Sequence, residues 1–282
     1  MGMITIKNEY LTVTISTLGA EIRSVKDPNG IERMWCADPN VWGSSAPIMF
    51  PVCGGYKDDT YFMNGKAYSM TKHGFAKLNE WETEKADDSS ITLLLNKKTP
   101  GFPFDYAFRA TFSLDENRLK VAYQVKNLGD ETFLYGIGSH EAYATPEGIE
   151  HYTVCFEKEE DLYVNELAGN LIQTEPYLLK EKTSELHLDP EYFSVDALVF
   201  RKLRSRSVTL RSDLHDRTVK VDFEGMDVFM LWQKYKAGYI CLEPWCNAPD
   251  TVDTDQQIEH KPGMITLAPG TEDTRVHTIT FA

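Results

Sequence analysis

The sequence predicts an all-β protein, a large antiparallel β-sandwich, from three observations. Short runs rich in β-branched and aromatic residues recur along the 282 residues, and several of them alternate apolar with polar positions, as half-buried strands do. Clusters of Gly, Pro, Asn and Asp separate these runs and are typical of tight turns. No long stripe of apolar residues at helical spacing lies between them.

The elements follow one another along the whole chain. The predicted strands are 11–16, 90–96, 106–114, 118–127, 217–223, 228–233, 239–242, 264–269 and 276–282. The turn signals between them are 27–30, 63–65, 115–117, 127–130 and 146–148, and the segments 36–42 and 189–200 each have room for one helical turn. No Pro- or Ser-rich linker and no fixed-period repeat divides the chain, so we expect one domain over residues 1–282.

Charge and composition exclude several classes of partner. Lys and Arg number 29 against 43 Asp and Glu, giving a net charge of −14 that repels phosphate backbones. We therefore expect neither nucleic acid nor an anionic membrane surface as a partner. No window approaches the roughly 18 apolar residues that a membrane-spanning helix needs, and the N-terminal residues do not resemble a signal peptide. These features predict a cytoplasmic protein, and they leave a monomer and a homodimer equally open.

The cysteines agree with a reducing compartment. Five cysteines are scattered along the chain, an odd number that is a poor basis for a disulfide framework. None forms a C-x-x-C pair, so a structural zinc site is not expected. We interpret the five as free and mostly packed thiols.

Glu243 stands in an unusual position. It follows the apolar run 239–242 directly and precedes Pro244 and Trp245. Burying an unpaired carboxylate costs free energy, and proteins usually supply a partner or shift its pKa. Glu243 is therefore either a strand-end residue in solvent or a carboxylate placed for chemistry, and the residue alone does not decide between the two.

Two of the seven histidines also stand in unusual settings. His73 precedes a glycine and an aromatic residue in the run KHGFAK, and His140 follows an apolar strand within GIGSHEAY, where two glycines allow a tight turn. A single histidine at a strand end is commonly a hydrogen-bonded structural residue. The other five histidines lie in polar surroundings and are interpreted as surface or packing residues.

Five segments together resemble one known family. The segments TLGAEIRSVKDPNGIERMW, APIMFPVCGGYKDDTY, KHGFAK, GIGSHEAY and CLEPW occur in the order seen in aldose 1-epimerases (galactose mutarotases), with similar spacing. They are most similar to the LacX-like branch, and the resemblance extends from Leu18 to the C-terminal strand. It implies a β-sandwich of galactose-mutarotase type (a supersandwich), a small-molecule sugar as substrate, bound on a concave sheet face, and no cofactor or metal.

The resemblance also implies roles for individual residues. The histidine of the family's H-G-F motif corresponds to His73, the histidine of its G-x-H motif to His140, and the glutamate of its C-x-E-P-W motif to Glu243. Asp196 resembles the sugar-binding aspartate through a looser alignment. Trp232 and Trp245 either flank the sugar or belong to the core, since an aromatic face suits both places.

The sequence departs from the family pattern at two positions. The family's FPxxGR motif is FPVCGGYKDD in this chain, so Gly55 replaces an arginine that contacts sugar hydroxyls, and Lys57 is a candidate substitute in substrate binding. The family's H-P pair is His140–Glu141 here. Neither change removes a catalytic group, but both leave the preferred sugar open.

The implied reaction needs only an acid and a base. Ring opening removes a proton from the C1 hydroxyl and protonates the ring oxygen; the aldehyde then rotates about C1–C2 and closes on its other face. Glu243 is expected to act as the base and a cationic His140 as the acid, while His73 holds a sugar oxygen. These roles make the protein an isomerase, a mutarotase for a free aldose such as glucose or galactose.

Two alternatives share the same fold. A hexose-6-phosphate 1-epimerase would need a basic pocket, and the segment 200–211 supplies five cations that are also typical of a solvated strand face: Arg201, Lys202, Arg204, Arg206 and Arg211. A non-catalytic sugar-binding or sensing protein would retain the fold without turnover. The presence of Glu243 and both histidines argues against the sensor, and Gly55 leaves it open.

Overall fold

The computed structural model describes residues 2–282 and consists mainly of antiparallel sheet. Its strands have the following bounds: β1 Met3–Lys7, β2 Thr12–Ser16, β3 Glu21–Lys26, β4 Thr60–Met63, β5 Lys66–Ser69, β6 Glu82–Ala86, β7 Ser90–Leu95, β8 Tyr106–Asp115, β9 Arg118–Asn127, β10 Phe133–Tyr135, β11 Glu141–Ala144, β12 Tyr152–Val164, β13 Leu167–Ala168, β14 Leu171–Ile172, β15 Tyr177–His187, β16 Leu198–Phe200, β17 Ser207–Ser212, β18 Thr218–Asp222, β19 Val228–Trp232, β20 Tyr239–Trp245, β21 Ile265–Leu267 and β22 Glu272–Phe281. The larger of two principal sheets has nine strands in the order β15-β12-β17-β18-β22-β9-β8-β7-β6. The smaller has four strands in the order β11-β20-β19-β16. A three-stranded sheet, β1-β2-β3, and the pairs β4/β5, β10/β21 and β13/β14 complete the architecture. The predicted all-β, antiparallel class is confirmed.

Short 3-10 turns cover Lys57–Asp59, Ala76–Leu78, Ile149–His151, Pro190–Phe193 and Ile258–His260. Within residues 2–282 no helix is long and apolar enough to cross a membrane.

The nine predicted strand segments all contain or overlap a strand of the structure. Residues with positive φ form the tight turns of two hairpins. Asn64 and Gly65 have φ values of 51° and 74° between β4 and β5, and Glu116 has a φ of 52° between β8 and β9. Of the two predicted helical turns, segment 189–200 contains one, at Pro190–Phe193, while 36–42 forms a hydrogen-bonded turn without a helix. All five cysteines are free.

The main core is a continuous apolar cluster between the two principal sheets. From the large sheet, the cluster contains alternate residues of β8, β9 and β22, such as Phe108, Val121 and Ile279. None of these three side chains is exposed. On the small sheet it takes Ile240 and Leu242 of β20. Because side chains alternate across a strand, the remaining residues of β20 lie on the opposite face.

Candidate active site

The outer face of the four-stranded sheet forms the floor of the candidate site. Glu243 lies on β20 on the opposite side from Leu242, and its cross-strand partner is Met230 of β19. Cys241, two residues before Glu243 on β20, lies on the same face and pairs with Trp232 of β19. Only 1% of Glu243 is exposed, so the sequence-based alternative of a solvated strand end is wrong for this residue.

His140 reaches Glu243 from the neighbouring strand. It directly precedes β11, whose first residue Glu141 is registered with Leu242 of β20. Alternation turns Glu141 toward the core and His140 toward the outer face. His140 Nε2 lies 3.4 Å from Glu243 Oε2, with both side chains buried. Strand register therefore brings an imidazole and a carboxyl group together from positions 103 residues apart in the sequence (243 − 140).

His73 comes from a loop whose backbone explains the His-Gly pair. His73 and Gly74 both have a φ of 67°, and a Cβ on Gly74 would lie 2.1 Å from the carbonyl oxygen of Phe50, so only glycine fits there. The Gly54 N–H donates to His73 Nδ1 over 3.1 Å. Since Nδ1 accepts, the proton of a neutral ring is on Nε2, which is then a donor for a substrate oxygen.

These three side chains line one cavity of about 580 Å³. The volume is within the usual range for small-molecule sites. The cavity wall also contains the predicted residues Asp196, Trp232 and Trp245. Glu243 Oε1 and Oε2 and His140 Nδ1 are buried and have no hydrogen-bond partner among residues 2–282. Buried polar atoms normally have partners, so these three are available for the hydroxyl groups of a ligand.

Aromatic rings enclose His140. The ring centroids of Trp42 and Trp232 lie 5.1 and 5.4 Å from that of His140, and the two indoles meet edge to face at 5.2 Å. Trp245 is 1% exposed, meets the ring of His73 edge to face at 5.4 Å and donates from Nε1 to the carbonyl oxygen of Ser139. Trp232 is thus a half-buried part of the cavity wall, whereas the buried Trp245 packs against the ring of His73.

The remaining predicted binding residues lie in different places. Asp196 lines the cavity, and its Oδ1 accepts from the backbone N–H of Ala197. Lys57 is absent from the cavity wall, and its Nζ donates to the carbonyl oxygen of Val252. Its expected part in substrate binding therefore has no support from its position and stays a prediction. A Cβ on Gly55 would lie 3.0 Å from Asn170 Cβ, so the glycine is packed against that residue.

Burial shifts the pKa values of both Glu243 and His140 away from their ordinary values. It raises the pKa of Glu243 well above the ordinary value, with Glu141 and Asp196 adding to the rise and Lys72 opposing it. It lowers the pKa of His140 to about 3. These directions favour a neutral His140 in the ligand-free site, and the cationic His140 expected from the sequence stays a prediction. A single proton shared by the pair is therefore favoured on Glu243, and its transfer to His140 would create the expected base and acid.

Two lysines that the sequence analysis did not select also line the cavity. Lys72 and Lys77 flank the H-G-F motif, are half-buried, and have no ion pair or hydrogen bond to their ammonium groups within residues 2–282. Burial lowers the pKa of Lys77, and the charge of Lys72 lowers it further. Their presence in KHGFAK was visible in the sequence, but their direction was not. Trp42 was missed for the same reason.

One group of potential metal ligands overlaps the same site. His140, Cys241 and Glu243 each offer a ligand atom, and these atoms lie within 4.8 Å of one another. Nitrogen, sulfur and oxygen ligands of this kind suit zinc. Metal independence was expected from the reaction and stays a prediction.

Comparisons with known proteins identify the family and the fold of this chain. A family model described as aldose 1-epimerase matches residues 2–280. The chromosomal LacX protein of Lactococcus lactis subsp. lactis is 31% identical, over 99% of each chain. A crystal structure of a galactose mutarotase related enzyme from Lactobacillus acidophilus is 33% identical with a TM-score of 0.93, covering 100% of this chain and 97% of the other. A galactose mutarotase-like protein from Lactobacillus casei has the same TM-score at 24% identity, covering 100% of both chains.

Proposed function

The chain belongs to the aldose 1-epimerase family, and we propose that it interconverts the α and β anomers of an aldose. The observation that carries this proposal is the convergence of Glu243, His140 and His73 on one cavity, with His140 Nε2 3.4 Å from Glu243 Oε2. An acid and a base that share one proton beside unpartnered polar atoms are what ring opening requires.

In the proposed mechanism, the proton of the pair first moves from Glu243 to His140. The Glu243 carboxylate then accepts the proton of the C1 hydroxyl, while the imidazolium of His140 gives its proton to the ring oxygen. The C1–ring oxygen bond breaks and an aldehyde forms. Rotation about C1–C2 and the reverse transfers close the ring on the other face. Protons balance at each step, and the pair returns to its starting state.

Neighbouring groups make the first transfer feasible. The positive charge of Lys72 favours the ionised form of Glu243, which offsets part of the cost of burial. His73, as an Nε2–H donor, would hold a sugar oxygen and restrict the ring to one orientation. Trp42 and Trp232 supply apolar surface for the C–H face of a pyranose.

Polarimetry on freshly dissolved α-glucose and α-galactose tests the proposal directly. The protein should accelerate the approach to anomeric equilibrium in proportion to its concentration, after subtraction of the spontaneous rate, and a chelator should leave that rate unchanged. Sugar binding by calorimetry without any acceleration would reject the enzyme and favour a sugar sensor.

A second candidate, an epimerase for an anionic sugar such as a hexose 6-phosphate, is favoured by Lys72 and Lys77. Both ammonium groups line the cavity and have no ion-pair partner among residues 2–282, and such groups are suited to a phosphate or carboxylate. The basic segment first considered for this role does not line the cavity; Arg206 pairs with Asp227 and Arg211 with Glu185 instead.

A substrate panel separates the two candidates. Glucose and glucose 6-phosphate would be compared in wild type and in the Lys77→Ala variant. If the phosphate is bound by Lys77, its KM should rise by about tenfold or more, the usual loss for a charge-assisted hydrogen bond, while the KM for glucose stays the same. Equal use of both sugars by both proteins would leave the free aldose as the substrate.

A further inference from the structure

Three side chains with metal-binding atoms converge at the base of the cavity. Cys241 and Glu243 alternate with Leu242 on β20, so both lie on the outer face of the four-stranded sheet. His140 joins them from the position just before β11, and one ligand atom from each side chain lies within 4.8 Å of the others. The proposed reaction uses His140 and Glu243 but gives no role to Cys241.

The spacing of these atoms is close to that of a tetrahedral zinc site. Zinc binds nitrogen and oxygen at about 2.1 Å, so two such ligands at the tetrahedral angle are about 3.4 Å apart. His140 Nε2 and Glu243 Oε2 are 3.4 Å apart. A thiolate sulfur, bound at about 2.3 Å, would lie about 3.6 Å from each of them. A movement of the Cys241 thiol by about 1 Å therefore completes three of the four positions.

Within residues 2–282, both carboxyl oxygens of Glu243 lack a hydrogen-bond partner, although only 1% of the residue is exposed. Cys241 is a free, fully buried thiol that packs against Trp232. Burying an unpaired carboxylate is costly, and buried charges in proteins are normally paired or coordinate a metal. A divalent cation between the three side chains would supply the missing counter-charge.

The cavity gives an ion access to these ligands. His140 and Glu243 line the wall, and the volume of about 580 Å³ leaves room for water as the fourth ligand. Three protein ligands with one open position are typical of accessible zinc sites, whereas structural sites use four protein ligands. Sulfur and imidazole ligands favour zinc over magnesium and calcium, which prefer oxygen. Of the charged groups near Glu243, Asp196 favours a cation and Lys72 opposes one.

We propose that His140, Cys241 and Glu243 form a zinc site and that zinc bound there inhibits the proposed reaction. Ligands bind zinc in their deprotonated forms, so binding releases the thiol proton and the proton of the His140–Glu243 pair to solvent. The ion then occupies the lone pairs of the acid and the base, and neither group can carry a proton to or from the sugar. Inhibition rests on the proposed function, whereas zinc binding does not.

Cobalt, a spectroscopic probe for zinc sites, tests the ligand set without any need for turnover. Metal-free, full-length protein titrated with Co²⁺ should show a thiolate-to-cobalt charge-transfer band, and added Zn²⁺ should remove it. In Cys241→Ala the band should be absent. Calorimetry should give zinc binding at least about tenfold weaker in this variant, since even residues that only support a ligand contribute about 10- to 100-fold. Cys241→Ser preserves the size of the side chain and should give the same losses if the alanine variant folds poorly.

A matched control is Cys36→Ser. Cys36 is also a free cysteine, but it is exposed and lies outside the ligand group. Its replacement should leave the charge-transfer band and the zinc affinity unchanged. The inference is overturned if wild type shows no band, if Cys241→Ala retains it, or if Cys36→Ser loses it.

Anomerisation assays test the inhibition. Metal-free Cys241→Ala should convert a sugar within about threefold of the metal-free wild-type rate, because Cys241 transfers no proton in the proposed reaction. At a zinc concentration of about ten times the wild-type Kd, the wild-type rate should fall by about tenfold, since only zinc-free protein turns over. Under the same conditions the Cys241→Ala rate should fall by about twofold or less. A chelator should restore the wild-type rate.

The two readouts separate this inference from the proposed function. A cobalt band in wild type without any turnover of the metal-free protein would reject the proposed function and leave the zinc site standing. Turnover without a cobalt band would do the reverse. A wild-type rate that zinc raises or leaves unchanged at full occupancy would overturn the inhibition.

Discussion

The two faces of the four-stranded sheet carry the same chemical groups in different surroundings. On the cavity face, His140 and Glu243 are 3.4 Å apart and line the cavity. On the core face, Glu141 and His277 are 2.8 Å apart and sealed between two sheets. The difference shows that a buried acid and a histidine are not themselves evidence of catalysis. What distinguishes the first pair is that a ligand can reach it.

The largest effect is expected at His140, because the contrast between the two faces requires this residue to transfer a proton. The His140→Asn variant retains a polar group but cannot carry the shared proton, so kcat should fall by roughly 10²–10⁴-fold. The measurement is the catalysed anomerisation rate at pH 7, with the spontaneous rate subtracted. A variant within about threefold of wild type would rule out this role.

His73 should have a smaller effect, because it binds an oxygen without transferring a proton. His73→Asn removes the Nε2–H donor, and kcat/KM should fall by about 10- to 100-fold, the usual range for a hydrogen bond to a charged or partly charged group. Circular dichroism checks that the loop still folds. A loss as large as that of His140→Asn would mean that His73 takes part in proton transfer.

The pH profile tests where the shared proton resides. Protonation of His140 disables the pair, but its pKa is lowered to about 3, so this limb lies well below an ordinary histidine near 6.5. Deprotonation of Glu243, whose pKa is raised, sets the alkaline limb. Activity should therefore show no acid-side fall near pH 6.5, the pKa of an ordinary histidine. An inflection near pH 6.5 would instead indicate a cationic resting His140.

Lys57 should have the smallest effect. Its ammonium group binds the carbonyl oxygen of Val252 and does not reach the cavity, so Lys57→Ala should leave kcat/KM within about twofold of wild type. Lys77→Ala is the comparison, since Lys77 lines the cavity. A tenfold or larger loss in Lys57→Ala would restore it to the binding site.

The fold was predictable where one face of a strand is apolar. The strands β7, β9 and β19 alternate or run apolar and were predicted from that pattern. The long strand β15 was missed, because it lies at the sheet edge and ten of its 11 residues are not buried, leaving no apolar face to detect. The strand β12 was also missed, and its central run of charged residues interrupts the apolar pattern. The single-domain organisation stays a prediction.

The site was predictable only as far as motifs allowed. Glu243, His140 and His73 were found through family motifs, and the structure brings them to one cavity. Trp42 was missed because nothing in the sequence indicates that its loop folds over His140. His277 was interpreted as a surface or packing residue, although it is 1% exposed and bonded to Glu141, since its partner lies 136 residues away. Long-range pairings of this kind are not encoded in local patterns.

The same substitution on the two faces tests the central claim most directly. Glu243→Gln and Glu141→Gln each remove one carboxylate and preserve volume, and both would be compared with wild type in anomerisation rate and in sugar binding. We predict that Glu243→Gln loses roughly 10²–10⁴-fold in kcat while sugar binding is retained. Glu141→Gln should remain within about tenfold of wild type, because Glu141 is buried in the core and does not line the cavity. Near-normal turnover in Glu243→Gln would contradict the assignment of Glu243 as the base.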